Sequence, residues 1–131
     1  MKHKHLVVRA EVDNPIINKS KARKFLRSLI KKIKMKEMYG PVASYCKMKG
    51  NRGITAFAII ETSHLAMHIW DENNPSLIQF DVYSCSDFEP TTVIEHLQPL
   101  HPTKIDYKFL NREEEFIPVS YTHLRAHETS R

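Results

Sequence analysis

A short segment that follows the most apolar stretch of the chain concentrates side chains able to transfer protons. Residues 61–72 contain Ser63, His64 and His68. Histidines at i and i+4 share one face of a helix and could hold a metal ion there. The β-rich residues 55–60 before them favour a strand instead, and the sequence offers no third ligand nearby. We therefore expect no metal site in this segment.

The same spacing has a different consequence on a strand. Successive side chains point to opposite faces, so His64 and His68 face one side while Ser63 faces the other. A partnership between Ser63 and His68 would need a bend or a β-bulge at Thr62–Ser63. Judged by spacing alone, Ser63 is an ordinary polar residue at the start of a strand.

The composition excludes several other kinds of site. The three glycines form neither a GxGxxG motif nor a Walker phosphate loop. Cys46 and Cys85 cannot build a disulfide framework or a four-cysteine zinc site, so both are interpreted as reduced thiols. The apolar run at residues 56–60 is far shorter than the roughly 20 residues that cross a bilayer, and residues 6–8 are too short for a secretory signal. A cytoplasmic protein is expected.

The formal charge of +5 comes from the first third of the chain. Residues 1–36 carry a net charge of +10, and residues 37–131 carry a net charge of −5. Such a basic segment is typical either of a nucleic-acid-binding surface or of the solvated face of one helix. We favour the helix, because the cations occupy the positions that its apolar stripe leaves free.

The hydrophobic periods predict one α+β domain over residues 1–117. A chain of 131 residues is long enough for one core of ordinary size but not for two. An apolar stripe from Ala22 to Ile33 predicts a helix, and Pro90 starts a shorter one that runs to Leu97. Strands are predicted at residues 5–12, 42–48, 54–60, 64–70, 77–83 and 105–110. The order β-α-β-β-β-β-α-β favours a two-layer α/β sandwich, with a mainly antiparallel sheet and two helices on one face.

Residues 118–131 show no coherent hydrophobic period. They resemble read-through from a library adapter or vector more than the end of a domain. We therefore interpret them as a tail that is non-native or disordered, and we leave the two histidines of the tail out of the candidate site.

Two linked motifs resemble those of a known family. Residues 63–72, Ser-His-Leu-Ala-Met-His-Ile-Trp-Asp-Glu, are similar to the processing-site signature of the small prokaryotic S-adenosylmethionine decarboxylases, E-S-H-[LI]-[AT]-I-H-T-[WY]-P-E. Residues 81–85, Asp-Val-Tyr-Ser-Cys, resemble the family's D-V-[FY]-[ST]-C, and residues 5–8 fit its first strand. The resemblance covers nearly all of residues 5–112.

The resemblance implies a self-processing decarboxylase that supplies decarboxylated S-adenosylmethionine for spermidine biosynthesis. The Ser63 hydroxyl would attack the Thr62 carbonyl in an N→O acyl shift, and β-elimination would turn residue 63 into a pyruvoyl group. This self-generated cofactor would form a Schiff base with the substrate amine and accept the electrons released with CO2. A homodimer is expected, because family members are dimers or larger and because the second face of the sheet must be buried.

The resemblance also implies roles for four further side chains. His68 would be the base in processing, and Cys85 would protonate the product carbon. Thr55 would supply a hydroxyl that assists processing, and Glu72 would hold the ribose hydroxyls of the substrate. Without the resemblance, these residues would be interpreted as ordinary members of strands, core and turns.

The chain departs from the family pattern at three positions. Thr62 replaces the usual glutamate before the serine. Asp71 replaces a proline, in a turn lengthened by two residues. Lys49 stands where the family often has an aromatic residue that stacks on adenine. A pyruvoyl-dependent decarboxylase of arginine or ornithine is therefore kept as an alternative.

An RNA-binding ferredoxin-like module is the alternative from a different class. Residues 52–57 begin like an RRM motif, but Ile54 and Ala56 occupy the positions of its two stacking aromatic residues. Residues 50–53 spell the GxxG of a KH domain, whose loop joins two helices, whereas strands are predicted on both sides here. Neither a nucleic acid nor a membrane is expected as a partner.

Overall fold

Seven strands form one antiparallel sheet in the computed structural model, which describes the backbone of residues 2–125 and the side chains of residues 2–119. In chain order the elements are β1 (Lys4–Val12), α1 (Lys19–Lys32), β2 (Glu37–Cys46), β3 (Gly53–Ile60), β4 (Ser63–Trp70), β5 (Ser76–Ser84), α2 (Pro90–His96), β6 (Pro102–Asn111) and β7 (Ile117–Arg125). A short 3₁₀ helix, Gln98–Leu100, lies between α2 and β6. The strand order is β2-β3-β4-β5-β1-β6-β7, and every neighbouring pair is antiparallel. The predicted α+β sandwich is confirmed.

Alternation along the strands sorts the side chains onto two faces of the sheet. On β1, Leu6, Val8 and Ala10 are buried, and they share one hydrophobic core with the buried side chains of both helices. The residues between them lie on the other face, which we call the open face. Such a period of two is what a sheet covered on one side requires. The catalytic candidates are therefore divided between a packed face and an open face.

The helix α1 is the amphipathic helix that the apolar stripe predicts. Asn18 caps its start by accepting a hydrogen bond of 3.0 Å from the Lys21 backbone N–H, and Lys31 and Lys32 occupy its last turn. Its buried residues are Ala22, Leu26, Leu29 and Ile30. Within the part of the chain that the structure describes, no helix has both the length and the hydropathy to cross a membrane.

The strand β7 is an element that the sequence does not predict. Residues 117–125 pair with β6, although their side chains show no hydrophobic period. An exposed edge strand offers unpaired main-chain groups, and pairing with them needs no particular side-chain pattern. The rest of the predicted tail, residues 126–131, lies outside the described range. Its non-native origin stays a prediction.

Candidate active site

The predicted cleavage bond lies in the tight turn between β3 and β4. Ile60 and Ser63 are the last paired residues of this hairpin, so Glu61 and Thr62 form its loop. Ser63 has a φ of 156°, a backbone conformation that is costly for a residue with a side chain. The candidate nucleophile therefore sits where the turn strains the backbone next to the bond that it would attack.

The end of β5 contacts this turn from the neighbouring strand. Ser63 pairs with Ser84, and the Cys85 backbone N–H donates a hydrogen bond of 2.9 Å to the Thr62 carbonyl oxygen. Attack on that carbonyl would place negative charge on the same oxygen, and a backbone N–H already directed at it stabilises such charge. The Cys85 thiol is free and half-buried. The structure thus brings together Thr62, Ser63 and Cys85.

A buried hydroxyl that no sequence pattern singles out also contacts the turn. The Ser84 hydroxyl, which is fully buried, donates a hydrogen bond of 2.9 Å to the Thr62 hydroxyl. The Thr62 hydroxyl in turn donates to the Met35 sulfur at 3.1 Å. The only signal in the sequence is that Ser84 directly precedes the candidate proton donor.

A second group of candidates lies on the open face. Thr55 and His68 are opposite each other on β3 and β4, with 3.1 Å between Thr55 Oγ1 and His68 Nδ1. The Trp70 ring stacks beside His68 at a centroid distance of 5.9 Å. A hydroxyl hydrogen-bonded to an imidazole can pass a proton. The structure therefore brings Thr55 and His68 together as a hydrogen-bonded pair of the kind that transfers protons.

These two groups lie at opposite ends of the β3–β4 hairpin. The register of β4 is unbroken from Ser63 to His68 with β3 and from Ser63 to Trp70 with β5. Ser63 and His68 are five residues apart, so about 17 Å of straight strand separates them. The bend that a direct partnership would need is not found in β4. Within one chain, the predicted processing base does not reach the predicted cleavage bond.

Glu72 holds the turn that precedes β3. Its two carboxylate oxygens accept hydrogen bonds from the backbone N–H groups of Gly50 and Arg52, at 3.0 and 3.1 Å. These bonds lower the pKa of Glu72, because they stabilise the charged form. The Trp70 indole N–H donates to the Asn51 side chain of the same turn at 2.7 Å. Each carboxylate oxygen keeps a further lone pair for a hydroxyl group of a ligand.

The two other departures from the family pattern lie at the same end of the sheet. Asp71 accepts a hydrogen bond of 2.7 Å from the Tyr45 hydroxyl, and this bond raises the pKa of Tyr45. Lys49 is exposed on the turn that Glu72 holds. Asp71, which stands in place of the family's proline, thus connects β2 with the turn after β4.

His68 borders two depressions of the surface. One, of about 300 Å³, also touches Thr55, Trp70, Asn51 and Cys46. The other, of about 410 Å³, extends across the open face towards β1 and β6. The first combines aromatic, hydroxyl and imidazole groups in one place, as ligand sites commonly do.

A carboxylate between two histidines lies on the open face as well. Asp81 Oδ2 is 3.0 Å from His5 Nε2 and 3.4 Å from His64 Nε2. Burial raises the pKa of Asp81, but the hydrogen bond and the charge of His5, with a smaller contribution from His64, outweigh it and lower the pKa. Arg112 contacts the other nitrogen of the His5 ring at 2.8 Å. No local pattern in the sequence indicates this cluster, because its members come from three strands and the segment after β6.

No group of three or more histidine, cysteine, aspartate or glutamate side chains within the described residues could hold a metal ion.

Comparison with known proteins agrees with the two motifs. The family model described as S-adenosylmethionine decarboxylase matches residues 5–113. Among curated relatives, an S-adenosylmethionine decarboxylase proenzyme of Pyrobaculum islandicum is 34% identical over 73 residues, 54% of this chain and 56% of that protein. One of Archaeoglobus fulgidus is 26% identical over 98 residues, 75% of this chain and 73% of that protein. The chain thus spans little more than half of the first relative and nearly three quarters of the second.

Proposed function

The chain belongs to the S-adenosylmethionine decarboxylase family, and we propose that it is a proenzyme that cuts itself between Thr62 and Ser63 and then decarboxylates S-adenosylmethionine. The observation that carries this proposal is the hydrogen bond from the Cys85 N–H to the Thr62 carbonyl oxygen. It joins the two family motifs at the atom where cleavage chemistry would begin.

The first step follows from the geometry of the turn. The Ser63 oxygen attacks the Thr62 carbonyl carbon, and the Cys85 N–H stabilises the charge that develops on the carbonyl oxygen. The C–N bond then breaks, and the peptide becomes an ester with a free amine on residue 63. The strained φ of Ser63 favours this rearrangement, because an ester no longer holds the residue in that conformation.

The second step needs a base at the same place. The base removes the α-proton of residue 63, its electron pair forms a Cα–Cβ double bond, and the Cβ–Oγ bond of the ester breaks, so that Thr62 leaves as a carboxylate. Cβ then takes up a proton, and water replaces the nitrogen as ammonia, which leaves a pyruvoyl group at the start of fragment 63–131. The imidazole of His68 suits the role of base, and its hydrogen bond to Thr55 orients it.

The separation of the two groups supports a site shared between two copies of the chain. One copy would supply Ser63 and Cys85, and the other would supply the Thr55–His68 pair. The open face carries an apolar patch of Tyr39, Phe57 and Ile59, which are 40–57% exposed. Apolar side chains grouped on an unpartnered sheet face are typical of a protein–protein interface. We therefore infer a homodimer that packs through its open faces.

Residue 63, once converted to a pyruvoyl group, would supply an electrophilic carbonyl for the substrate amine and for the electrons released with CO2. Cys85 directly follows Ser84, the strand partner of Ser63, so its thiol would donate a proton to the carbon that lost CO2. Across the shared site, Trp70 and the depression around Thr55 and His68 would bind the nucleoside. Glu72, held by two backbone N–H groups and ionised, would accept the ribose hydroxyls. The product would then serve aminopropyl transfer to spermidine.

The mass of the purified full-length chain tests self-cleavage. We expect two fragments, 1–62 and 63–131, with the second blocked at its start by a ketone. The Ser63→Ala variant removes the nucleophile and is expected to stay whole. A wild-type chain that stays whole after prolonged incubation overturns the proposal. Release of labelled CO2 from S-adenosylmethionine, with arginine and ornithine compared at the same concentration, then tests the substrate.

A further inference from the structure

The buried hydroxyl of Ser84 lies beside the proposed cleavage bond, and the mechanism above does not use it. The Ser84 side chain is fully buried at the end of β5. It donates a hydrogen bond of 2.9 Å to the Thr62 hydroxyl and accepts one of 3.0 Å from the Ser86 backbone N–H. A buried hydroxyl in a strand adds a polar group to the core, so the bonds that it makes are the reason it is tolerated there.

These bonds continue through Thr62 in one direction. The Thr62 hydroxyl accepts from Ser84 and donates to the Met35 sulfur at 3.1 Å. The Ser84 hydroxyl also lies 3.7 Å from the Met35 sulfur, but its single proton makes the shorter contact with the Thr62 oxygen. The Ser86 N–H, the two hydroxyls and the Met35 sulfur therefore form one hydrogen-bonded series. Hydrogen bonds linked in this way strengthen one another and restrict the side chains to one rotamer.

Consecutive residues at the end of β5 consequently hold Thr62 at two different atoms. Ser84 holds its side-chain oxygen, and the Cys85 N–H holds its carbonyl oxygen at 2.9 Å. Two anchors on either side of the Thr62 α-carbon restrict rotation of the peptide that joins it to Ser63. That rotation determines whether the carbonyl carbon faces the Ser63 hydroxyl.

We propose that Ser84 is a positioning residue for self-cleavage, which aligns the Thr62 carbonyl with the Ser63 hydroxyl through its hydrogen bond to the Thr62 side chain. This inference rests on the proposed function, because it assigns Ser84 to the first step of cleavage. Thr62 replaces the glutamate that is usual in the signature, so the hydroxyl that Ser84 holds is a feature of this chain.

The effect on the rate follows from the role of alignment. A displacement of about 1 Å between reacting groups slows a reaction by up to about 100-fold. Ser84→Ala removes the donor, and Thr62→Val removes the acceptor while keeping the shape of the side chain. We expect either change to slow cleavage by about tenfold or more. Thr62→Ser keeps the hydroxyl and is expected to cleave clearly faster than Thr62→Val.

The experiment follows cleavage of the full-length chain over time after a pulse of cell-free synthesis, with the fragments quantified by mass. The double variant Ser84→Ala/Thr62→Val is expected to be no slower than the slower single variant, because both changes remove the same bond. Wild-type cleavage by Ser84→Ala overturns the inference, and so does a Thr62→Val variant as fast as Thr62→Ser. If Ser84→Ala does not fold, the comparison of the two Thr62 variants decides, since the Thr62 side chain is only half-buried.

Hydroxylamine separates a defect in the first step from a defect in the second. It cuts esters but not peptides, so it releases fragments from a chain that has completed the acyl shift. We expect hydroxylamine to release fragments from His68→Ala, which lacks the base for the second step. We expect no acceleration for Ser84→Ala, which is slow in the first step; rapid release there would contradict the proposed role. A wild-type chain that never cleaves refutes the proposed function instead.

Discussion

A mixture of two inactive variants tests whether the active site is shared between two copies of the chain. Ser63→Ala removes the nucleophile, and His68→Ala removes the base. Neither variant is expected to cleave when it is made alone. In a mixed dimer, however, the intact Ser63 of one chain meets the intact His68 of the other, and one of the two sites is complete.

The expected yield follows from the structure and from random pairing. About 17 Å of strand separates Ser63 from His68 within a chain, so a chain cannot complete its own site. When equal amounts of the two variants fold together, roughly half of all His68→Ala chains pair with a Ser63→Ala partner in a closed two-fold dimer. We therefore expect cleavage of roughly half of the His68→Ala chains and of none of the Ser63→Ala chains.

The assay is co-expression of the two variants with different affinity tags, followed by mass analysis of each tagged chain. Each variant expressed with a second copy of itself under the other tag is the matched control. If the mixture shows no cleavage although tagged pairs co-purify, His68 acts within its own chain or is not the base. Cleavage of the Ser63→Ala chain would refute the assignment of the nucleophile.

Three further outcomes are expected. Cys85→Ala keeps the backbone N–H at the Thr62 carbonyl, so this variant should still cleave itself. CO2 release by the cleaved variant should fall by about 10²–10⁴-fold, and a normal rate of CO2 release would contradict the role of the thiol. Phe57→Lys places a charge in the apolar patch and should convert dimers to monomers, as measured by light scattering. The matched change Ile17→Lys, at a side chain that is 63% exposed and lies outside the sheet, should leave the dimer intact. Burial and the charge of Lys32 lower the pKa of His96 against the opposing effect of a backbone hydrogen bond. Because the unfolded chain then binds a proton more readily than the folded one, the thermal stability should fall as the pH drops below about 6.5, and His96→Gln should weaken this dependence. Melting temperatures of the wild type and the variant between pH 5 and 7.5 measure the two dependences. Equal slopes of melting temperature against pH would contradict the role of His96.

The secondary structure could be predicted where one residue type repeats with a fixed period. The stripe from Ala22 to Ile33 became α1, and the alternating segments became β1 and β3 to β6, because burial on one face demands those periods. The strand β2 begins five residues earlier than predicted, and its first residues, among them the exposed Met38 and Tyr39, show no alternation of buried and exposed side chains. The strand β7 could not be foreseen, because edge pairing depends on main-chain groups.

The spacing of Ser63 and His68 also predicts that a straight strand keeps them apart, and β4 is straight. The sequence could not show which groups of other strands contact each of the candidate residues. The partners of Thr62 at Ser84 and Cys85 come from a strand more than twenty residues away, and the two histidines that flank Asp81 come from different strands. Hydrogen bonds of this kind depend on the register between strands, which no local pattern encodes.

The amino-acid sequence by itself determined the fold class, the family motifs and the identity of the residues able to carry out the chemistry, since these depend on residue type and local period. Only the tertiary structure decided which of them meet. It joined Thr62 and Ser63 to the end of β5, paired Thr55 with His68, and tied Glu72 to the turn before β3. The physical reason is that strand register, set by packing of the whole core, determines contacts at the scale of a hydrogen bond.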